Sequence, residues 1–130
     1  MLPRSFTLVA LTASLFLLTG AAQALTIKPF TRAELTAAQN AGVPVAVHFR
    51  AAWCPTCRAQ DKAFNTLKAD PALDKVTLLQ ADYDQEKELK KQMNVRAQST
   101  VIVFKGKTEV ARDGGSTEPA QLKAVLSHAL

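Results

Sequence analysis

The chain has 130 residues, and its 16 lysine and arginine residues against 11 aspartate and glutamate residues give a net charge of +5. This length suits one ordinary domain and excludes two independent cores. Apolar residues make up 48% and charged residues 21%, which excludes a disordered or collagen-like chain. The two cysteines exclude a disulfide-stapled miniprotein and a four-cysteine zinc site. The charges are scattered without a basic stripe, so we expect no nucleic-acid partner.

Residues 1–24 have the pattern of a secretory signal peptide. A basic start is followed by a short apolar run over residues 6–18, and the small-residue tripeptide Ala22-Gln23-Ala24 forms the exit. We expect cleavage after Ala24, which leaves a mature domain of residues 25–130 with no stable membrane span. Export of this kind places the domain in the periplasm, an oxidising compartment in which a close pair of cysteines has redox meaning.

An uncleaved anchor is the alternative for the same segment. Residues 6–27 nearly reach the roughly 20 apolar residues that a membrane helix needs, if Gln23 is tolerated. In that case the domain would stay anchored to the membrane and face the periplasm. The processing signal and the short purely apolar run favour cleavage.

Apolar periodicity predicts alternating helices and strands along the mature chain. Thr31 and Glu34 form a capping box, and the near-continuous apolar run of residues 43–50 is typical of a strand covered on both faces. The predicted elements, in chain order, are a helix over residues 31–42, a strand over 43–50, a helix within the segment 51–68 that has Pro55 in its first turn, a strand over 76–81, a helix over 84–93, strands over 100–105 and 108–112, and a helix that Thr117 caps. Parallel strands joined by helices need helices on both sheet faces. The predicted class is therefore α/β, a three-layer α/β/α sandwich around a central mixed sheet.

The motif Cys54-Pro55-Thr56-Cys57 lies where a buried strand is expected to end and a helix to begin. Unpaired N–H groups and the dipole at a helix start stabilise a thiolate at Cys54, and Pro55 fits the first turn. Cys57 lies one helical turn further on the same face, so it can attack a mixed disulfide formed on Cys54. We therefore expect Cys54 to be the nucleophile and Cys57 the resolving thiol. Trp53 would flank them and offer an apolar contact surface to a partner polypeptide.

Two structural interpretations of the cysteine pair are weak. A zinc site needs four ligands, and only His48 and His128 could add to the two cysteines, so no metal is expected. An inert disulfide would close so short a loop that it would remove little chain entropy. A CxxC motif beside a βαβ pattern predicts redox exchange, with no cofactor beyond the Cys54–Cys57 disulfide itself.

Three segments carry a family resemblance: VAVHFRAAWCPTCR at residues 45–58, LLQADYD at 78–84 and NVRAQSTVIVFK at 94–105. Over essentially the whole mature chain they resemble the thioredoxin superfamily, including the exported thioredoxin-like domains of cytochrome c maturation and thiol–disulfide interchange. The resemblance implies a thioredoxin fold and dithiol–disulfide exchange with protein thiols and disulfides as substrates. It also implies the nucleophilic and resolving roles for the two cysteines.

Two departures from the family pattern replace a buried charged pair. His48 stands where thioredoxins usually carry a buried Asp, and Gln80 stands where a Lys often accompanies that Asp. Losing both together avoids leaving one buried charge without its partner. His48 is open to two interpretations: a base or neutral hydrogen-bond partner in proton handling, or a core histidine without a catalytic role.

The third departure is Ser99, which precedes Thr100 at the position of the family's cis-proline. A cis bond before a non-proline residue costs about 3–4 kcal/mol, so the Gln98–Ser99 bond is either trans or held cis by strain. Ser99 also adds a hydroxyl group near the thiols. Arg50 and Arg58 flank the motif, where they either stabilise the thiolate or lie on the surface.

Two function classes follow from these features. The first is an exported thiol–disulfide oxidoreductase, expected as a monomer. The chain is too short for the helical insertion of dedicated periplasmic oxidases, which favours a reductase or electron carrier recharged by a membrane-bound electron donor. The alternative is a binding or assembly module whose disulfide is structural or weakly active, an interpretation to which His48 and Ser99 give weight.

Overall fold

The computed structural model describes residues 24–130, so the predicted signal peptide lies outside the described residues except for Ala24. The elements, in chain order, are β1 (Thr26–Pro29), α1 (Arg32–Ala41), β2 (Val45–Arg50), α2 (Pro55–Leu67), a 3₁₀ turn (Pro71–Leu73), β3 (Thr77–Asp82), α3 (Lys87–Gln92), β4 (Thr100–Lys105), β5 (Thr108–Gly114) and α4 (Pro119–Ser127). Within residues 24–130, no helix has the length and apolar character needed to cross a membrane.

The strands form one mixed sheet in the order β1-β3-β2-β4-β5. Strands β1 and β2 both run parallel to β3, whereas β4 runs antiparallel to both β2 and β5. Helices cover both faces, so the predicted three-layer sandwich with a central mixed sheet is confirmed. The antiparallel pairing of β2 with β4 sets Phe49 opposite Thr100, and this register brings the start of β4 to the end of β2.

Alternation along β2 divides its side chains between two cores. Val45, Val47 and Phe49 belong to the core that also contains Leu35 of α1 and Leu89 of α3. Ala46 belongs to the opposite core, which the helices α2 and α4 cover. His48 shares the face of Ala46, and its ring lies 5.1 Å from that of Phe64 on α2 in an edge-to-face arrangement. His48 is therefore enclosed between the sheet and the helix that carries the cysteines.

Strand β1 was absent from the predicted order of elements, and that part of the prediction is wrong. The strand has only four residues, of which two are exposed, and it lies at the edge of the sheet. It therefore lacks the continuous apolar pattern that marks the inner strands. Leu25, immediately before it, is buried in the core beneath α2 and α4.

Helices α3 and α4 begin later than predicted, whereas α2 begins with Pro55 in its first turn, as predicted. Helix α2 begins at Pro55, because residues 51–54 form a turn in which the N–H of Cys54 donates to the carbonyl of Ala51. Helix α3 begins at Lys87, because the Asp82 carboxylate accepts the backbone N–H groups of residues 84 and 85 and holds them in a turn. Helix α4 begins at Pro119 with Glu118 at the cap position, so Thr117 is not its cap.

Candidate active site

The site is built at the junction of β2 and α2. Cys54 has the extended conformation of a cap residue (φ −85°, ψ 118°), and Pro55 opens the helix behind it. The Cys54 sulfur accepts the backbone N–H of Cys57 at 3.3 Å. The thiol thus takes the position in which a Ser, Thr or Asp side chain usually caps a helix, and a negative charge on it is favoured there.

The two thiols are free and almost enclosed by the protein. Cys54 keeps 3% of its surface exposed and Cys57 keeps none. The small exposed part of the cysteine pair belongs to Cys54. Among residues 24–130, no three His, Cys, Asp or Glu side chains are grouped as a metal site.

Ser99 contacts both sulfur atoms. Its hydroxyl oxygen lies 3.4 Å from the Cys54 sulfur and 3.1 Å from the Cys57 sulfur. No cis peptide bond occurs among residues 24–130, so the Gln98–Ser99 bond is trans, and the alternative in which strain holds it cis is wrong. Ser99 instead adopts the left-handed conformation, with a φ of 68°. Its backbone N–H donates to the carbonyl of Phe49 at 2.8 Å, which ties it to the end of β2.

The pKa values of the two thiols move in opposite directions. Burial tends to raise the pKa of Cys54, but hydrogen bonds from Ser99 and Cys57 and from the N–H of Thr56 outweigh it and lower this pKa to about 7. Burial raises the pKa of Cys57, only partly opposed by the Ser99 hydroxyl, and the nearby charge on Cys54 raises it further. The first of the two thiols to lose its proton is therefore Cys54, and the negative charge of the pair lies on its sulfur.

A neutral hydrogen-bonded chain lies behind the thiols. The Gln60 amide nitrogen donates to the carbonyl oxygens of Ser99 and Ser116, both at 3.0 Å. Its amide oxygen faces His48 Nε2 at 2.8 Å, and because this oxygen can only accept, the ring carries its proton on Nε2. His48 thus reaches the thiols through Gln60 and Ser99, which favours a hydrogen-bond partner over a base acting on Cys57.

The second ring nitrogen of His48, Nδ1, is buried without a hydrogen bond to any of residues 24–130. It lies 3.9 Å from Asp61 Oδ1. Burial lowers the pKa of His48, and nearby Arg50 adds to this effect, whereas the hydrogen bond with Gln60 and the charge of Asp61 oppose it without reversing it. His48 is therefore neutral at pH 7.

Asp61 organises a partly exposed cluster at the edge of the site. Arg50 donates two hydrogen bonds to its carboxylate: Nη2 lies 2.7 Å from Oδ2, and Nε lies 3.0 Å from the same oxygen. Gln80 donates to Oδ1 at 3.0 Å. Although His48 and Gln80 lie opposite each other in the register of β2 and β3, each bonds to a different residue of α2. Arg50 is occupied by Asp61 rather than by the thiolate.

The remaining predicted residues lie around this centre in different settings. Trp53 is 58% exposed, and its indole N–H donates to Asp84 at 2.7 Å, which holds the ring at the surface beside the motif. Thr100 is buried, but its hydroxyl donates to the carbonyl of Ala97 and closes the turn before β4 instead of facing the thiols. Pro55 is exposed and Thr56 is half-buried. The structure therefore separates residues that touch the sulfurs from residues that shape the surface around them.

Sequence reasoning missed Gln60 and Asp61. These residues follow Cys57 by three and four positions, the spacing that stacks side chains along one side of a helix. That spacing is the signal that could have identified them, since a polar residue one turn after a buried cysteine extends the same inward face. Arg58, which flanks the motif, donates to the carbonyl of Ala52 at the exposed surface.

A mixed five-stranded sheet with a CxxC pair at the start of the helix after β2 defines a thiol–disulfide oxidoreductase. The thioredoxin family model matches residues 26–128. A thioredoxin from Alicyclobacillus acidocaldarius subsp. acidocaldarius is 33% identical over 100 residues, which cover 77% of this chain and 94% of that protein. A thioredoxin from Malassezia sympodialis is 28% identical over 83 residues, 64% of this chain and 78% of that protein.

A solved structure leads to the same family. The crystal structure of Trxlp from Edwardsiella tarda EIB202 superposes with a TM-score of 0.74 at 34% identity, covering 78% of this chain and 99% of that chain. The chain belongs to the thioredoxin family, and the predicted thioredoxin fold and enzyme class are confirmed. Thioredoxins exchange disulfides with protein thiols through their two cysteines, without another cofactor.

The buried neutral His48 predicts a pH-dependent stability. The unfolded chain takes up a proton on His48 below a pH of about 6.5, whereas the folded protein resists it, so folding loses roughly 1 kcal/mol per pH unit as the pH falls from that value towards the lowered folded pKa. A His48→Gln variant keeps an amide that can bond to Gln60 but does not titrate. Urea unfolding from pH 7.5 to 5 should therefore show a steeper loss in the wild type than in the variant. Parallel profiles would contradict a neutral buried His48.

Proposed function

We propose that this protein is an exported thiol–disulfide reductase or electron carrier in which Cys54 is the nucleophile and Cys57 resolves the mixed disulfide. The Cys54 thiolate attacks a protein disulfide, and one substrate sulfur leaves as a thiolate that takes up a proton. Cys57 then loses its proton and attacks the Cys54 sulfur. The second substrate sulfur leaves with the electron pair of its bond, so the substrate is reduced by two electrons and the Cys54–Cys57 pair is oxidised.

One observation carries this proposal: the two thiols of one motif have pKa values displaced in opposite directions. The pKa of Cys54 is lowered to about 7, while that of Cys57 is raised. Thioredoxin nucleophiles titrate at about 7, whereas a dedicated periplasmic oxidase lowers its thiol to about 3.5 and so stabilises its reduced form. A pKa of about 7 on Cys54 supports the reducing direction, because the reduced form gains less from its thiolate.

The cellular setting of the proposal rests on the signal-peptide pattern of residues 1–24. This pattern supports export to the periplasm, where the surroundings tend to oxidise the pair. A reductase in that compartment needs a supply of electrons from the cytoplasmic side. We therefore include a membrane-bound electron donor in the proposal, with the protein acting as a monomer between that donor and its protein substrates.

Cysteine substitutions test the roles of the two thiols. In an insulin-reduction assay driven by dithiothreitol, the wild type should accelerate precipitation of the insulin chains. Cys54→Ser should reduce the rate to the uncatalysed background, because the lowered pKa belongs to Cys54 and Cys57 has no exposed surface. Cys57→Ser should accumulate a mixed disulfide with insulin that is visible on non-reducing gels.

A matched control and a contradicting result complete this test. Ser127→Ala removes a hydroxyl that bonds within α4, far along the chain from the motif, and should react like the wild type. Wild-type protein no faster than Cys54→Ser would contradict the reductase function. It would favour instead the binding or assembly module with a structural disulfide.

The reduction potential of the Cys54–Cys57 pair tests the direction of exchange. Equilibration with glutathione buffers, read by alkylation and mass, should give a value closer to the roughly −270 mV of thioredoxin than to the roughly −120 mV of a strong oxidase. The physical reason is the modest stabilisation of the Cys54 thiolate. A value at the oxidase end would reverse the proposed electron flow while leaving the exchange chemistry intact.

Intact-mass analysis tests export. The full chain expressed in a gram-negative host should be recovered from the periplasmic fraction with the mass of residues 25–130. Replacing Ala22 and Ala24 by Glu provides the control, because a charged exit should block processing. A full-length product in the membrane fraction of the unaltered chain would instead support the anchored alternative.

A further inference from the structure

We propose that the Ser99 hydroxyl is a catalytic group of the exchange reaction, a single rotating donor that stabilises first the Cys54 thiolate and then the Cys57 thiolate. This inference rests on the proposed roles of the two cysteines. Its observation is the position of one oxygen between two sulfurs, 3.4 Å from that of Cys54 and 3.1 Å from that of Cys57. Ser99 is 4% exposed, so little water competes for this contact.

The hydroxyl has one proton to donate and two sulfurs within reach. In the part of the chain that the structure describes, those sulfurs are its hydrogen-bond partners. A serine hydroxyl turns about its C–O bond, so the proton can point to whichever sulfur is negative while the oxygen accepts from the other S–H. The same atom therefore serves two different states without movement of the backbone.

The backbone of Ser99 is fixed from both sides. Its N–H donates to the carbonyl of Phe49 at 2.8 Å, and its carbonyl accepts from Gln60 at 3.0 Å. Gln60 is in turn held by His48. A donor that is fixed before the reaction stabilises developing charge without reorganisation during the step. Gln60 is thus a positioning residue for the hydroxyl.

The two steps use the hydroxyl in turn. In the reduced protein it donates to the Cys54 thiolate and accepts from the Cys57 thiol. Once Cys54 is bonded to the substrate sulfur, its charge is gone and the donor turns to Cys57. Cys57 gives up its proton, and its sulfur forms a bond to the Cys54 sulfur as the bond from Cys54 to the substrate breaks. The substrate sulfur leaves with the electron pair of the broken bond and takes up the proton that Cys57 released. The proton count and the electron count both balance.

A pair of Ser99 variants separates the hydroxyl from the backbone. Ser99→Gly removes the hydroxyl at a φ of 68° that glycine adopts without strain, so the fold should be retained. Ser99→Ala removes the same group and keeps the β-carbon. Ser127→Ala is the matched control for loss of a serine hydroxyl elsewhere. Urea unfolding of each variant checks that it is folded.

Two measurements on these variants follow the two states without a protein substrate. In a Cys57→Ser background, the pH dependence of alkylation by iodoacetamide reports the pKa of Cys54. In the protein with both cysteines, the aromatic disulfide dithiobis(nitrobenzoate) releases one coloured thiolate when Cys54 attacks it. A second is released when Cys57 attacks the Cys54 sulfur and breaks its bond to the remaining nitrobenzoate. Stopped-flow absorbance separates the two releases.

We expect both hydroxyl-deleting variants to raise the pKa of Cys54 and to slow the second release about tenfold, the effect of one hydrogen bond to a charged group. Ser127→Ala should match the wild type. An unchanged pKa and unchanged release rates in Ser99→Gly would overturn the inference, and a raised pKa with an unaltered second release would overturn its second half. Because neither assay uses insulin or a donor, a protein that failed as a reductase would still give a clear result here.

Discussion

A sulfur anion has to be stable at a place that water barely reaches, and the rest of the site depends on this requirement. Burial alone would raise the pKa of Cys54. The fold offsets that effect with donors supplied by local geometry: β2 ends, Pro55 opens α2, and the first backbone N–H groups of the helix point at the sulfur. The antiparallel register of β2 with β4 then brings Ser99 to the same point. No single donor is sufficient, because the desolvation they oppose is the largest contribution.

The distribution of charge around the thiols obeys the same requirement. The position behind them is occupied by a neutral His48 bonded to Gln60, while the Asp61 carboxylate lies at the partly exposed edge and is paired with Arg50. A second negative charge deep in the site would repel the thiolate and would itself be costly to bury. Placing the carboxylate outside, with its own cation, leaves the buried region with one anion, on sulfur. Gln80 completes the solvation of that carboxylate instead of pairing with His48.

The sequence contained most of the fold and the centre of the site, and the remainder depends on long-range geometry. The strands β2, β3, β4 and β5 and the helices around them follow from apolar periodicity, and the CxxC motif at a strand–helix junction identifies the chemistry. Strand β1 is too short and too exposed to give that signal. Gln60 looks like an ordinary polar helix residue until the fold shows that it faces inward, and its partners at Ser99 and Ser116 are 39 and 56 residues away along the chain.

Ser99 shows why a single departure from the family residue is a change of local structure. Proline is confined to a φ near −65° and has no N–H, whereas Ser99 has a φ of 68° and donates to Phe49. The left-handed conformation costs a non-glycine residue roughly 1 kcal/mol, which two backbone hydrogen bonds, one on each side of the residue, can offset. Conformation, backbone donor and side-chain hydroxyl are therefore linked, because the backbone that excludes proline is the backbone that directs the oxygen between the two sulfurs. A proline at this position would require a different backbone conformation just before β4 and would lose the hydrogen bond to Phe49 at the end of β2.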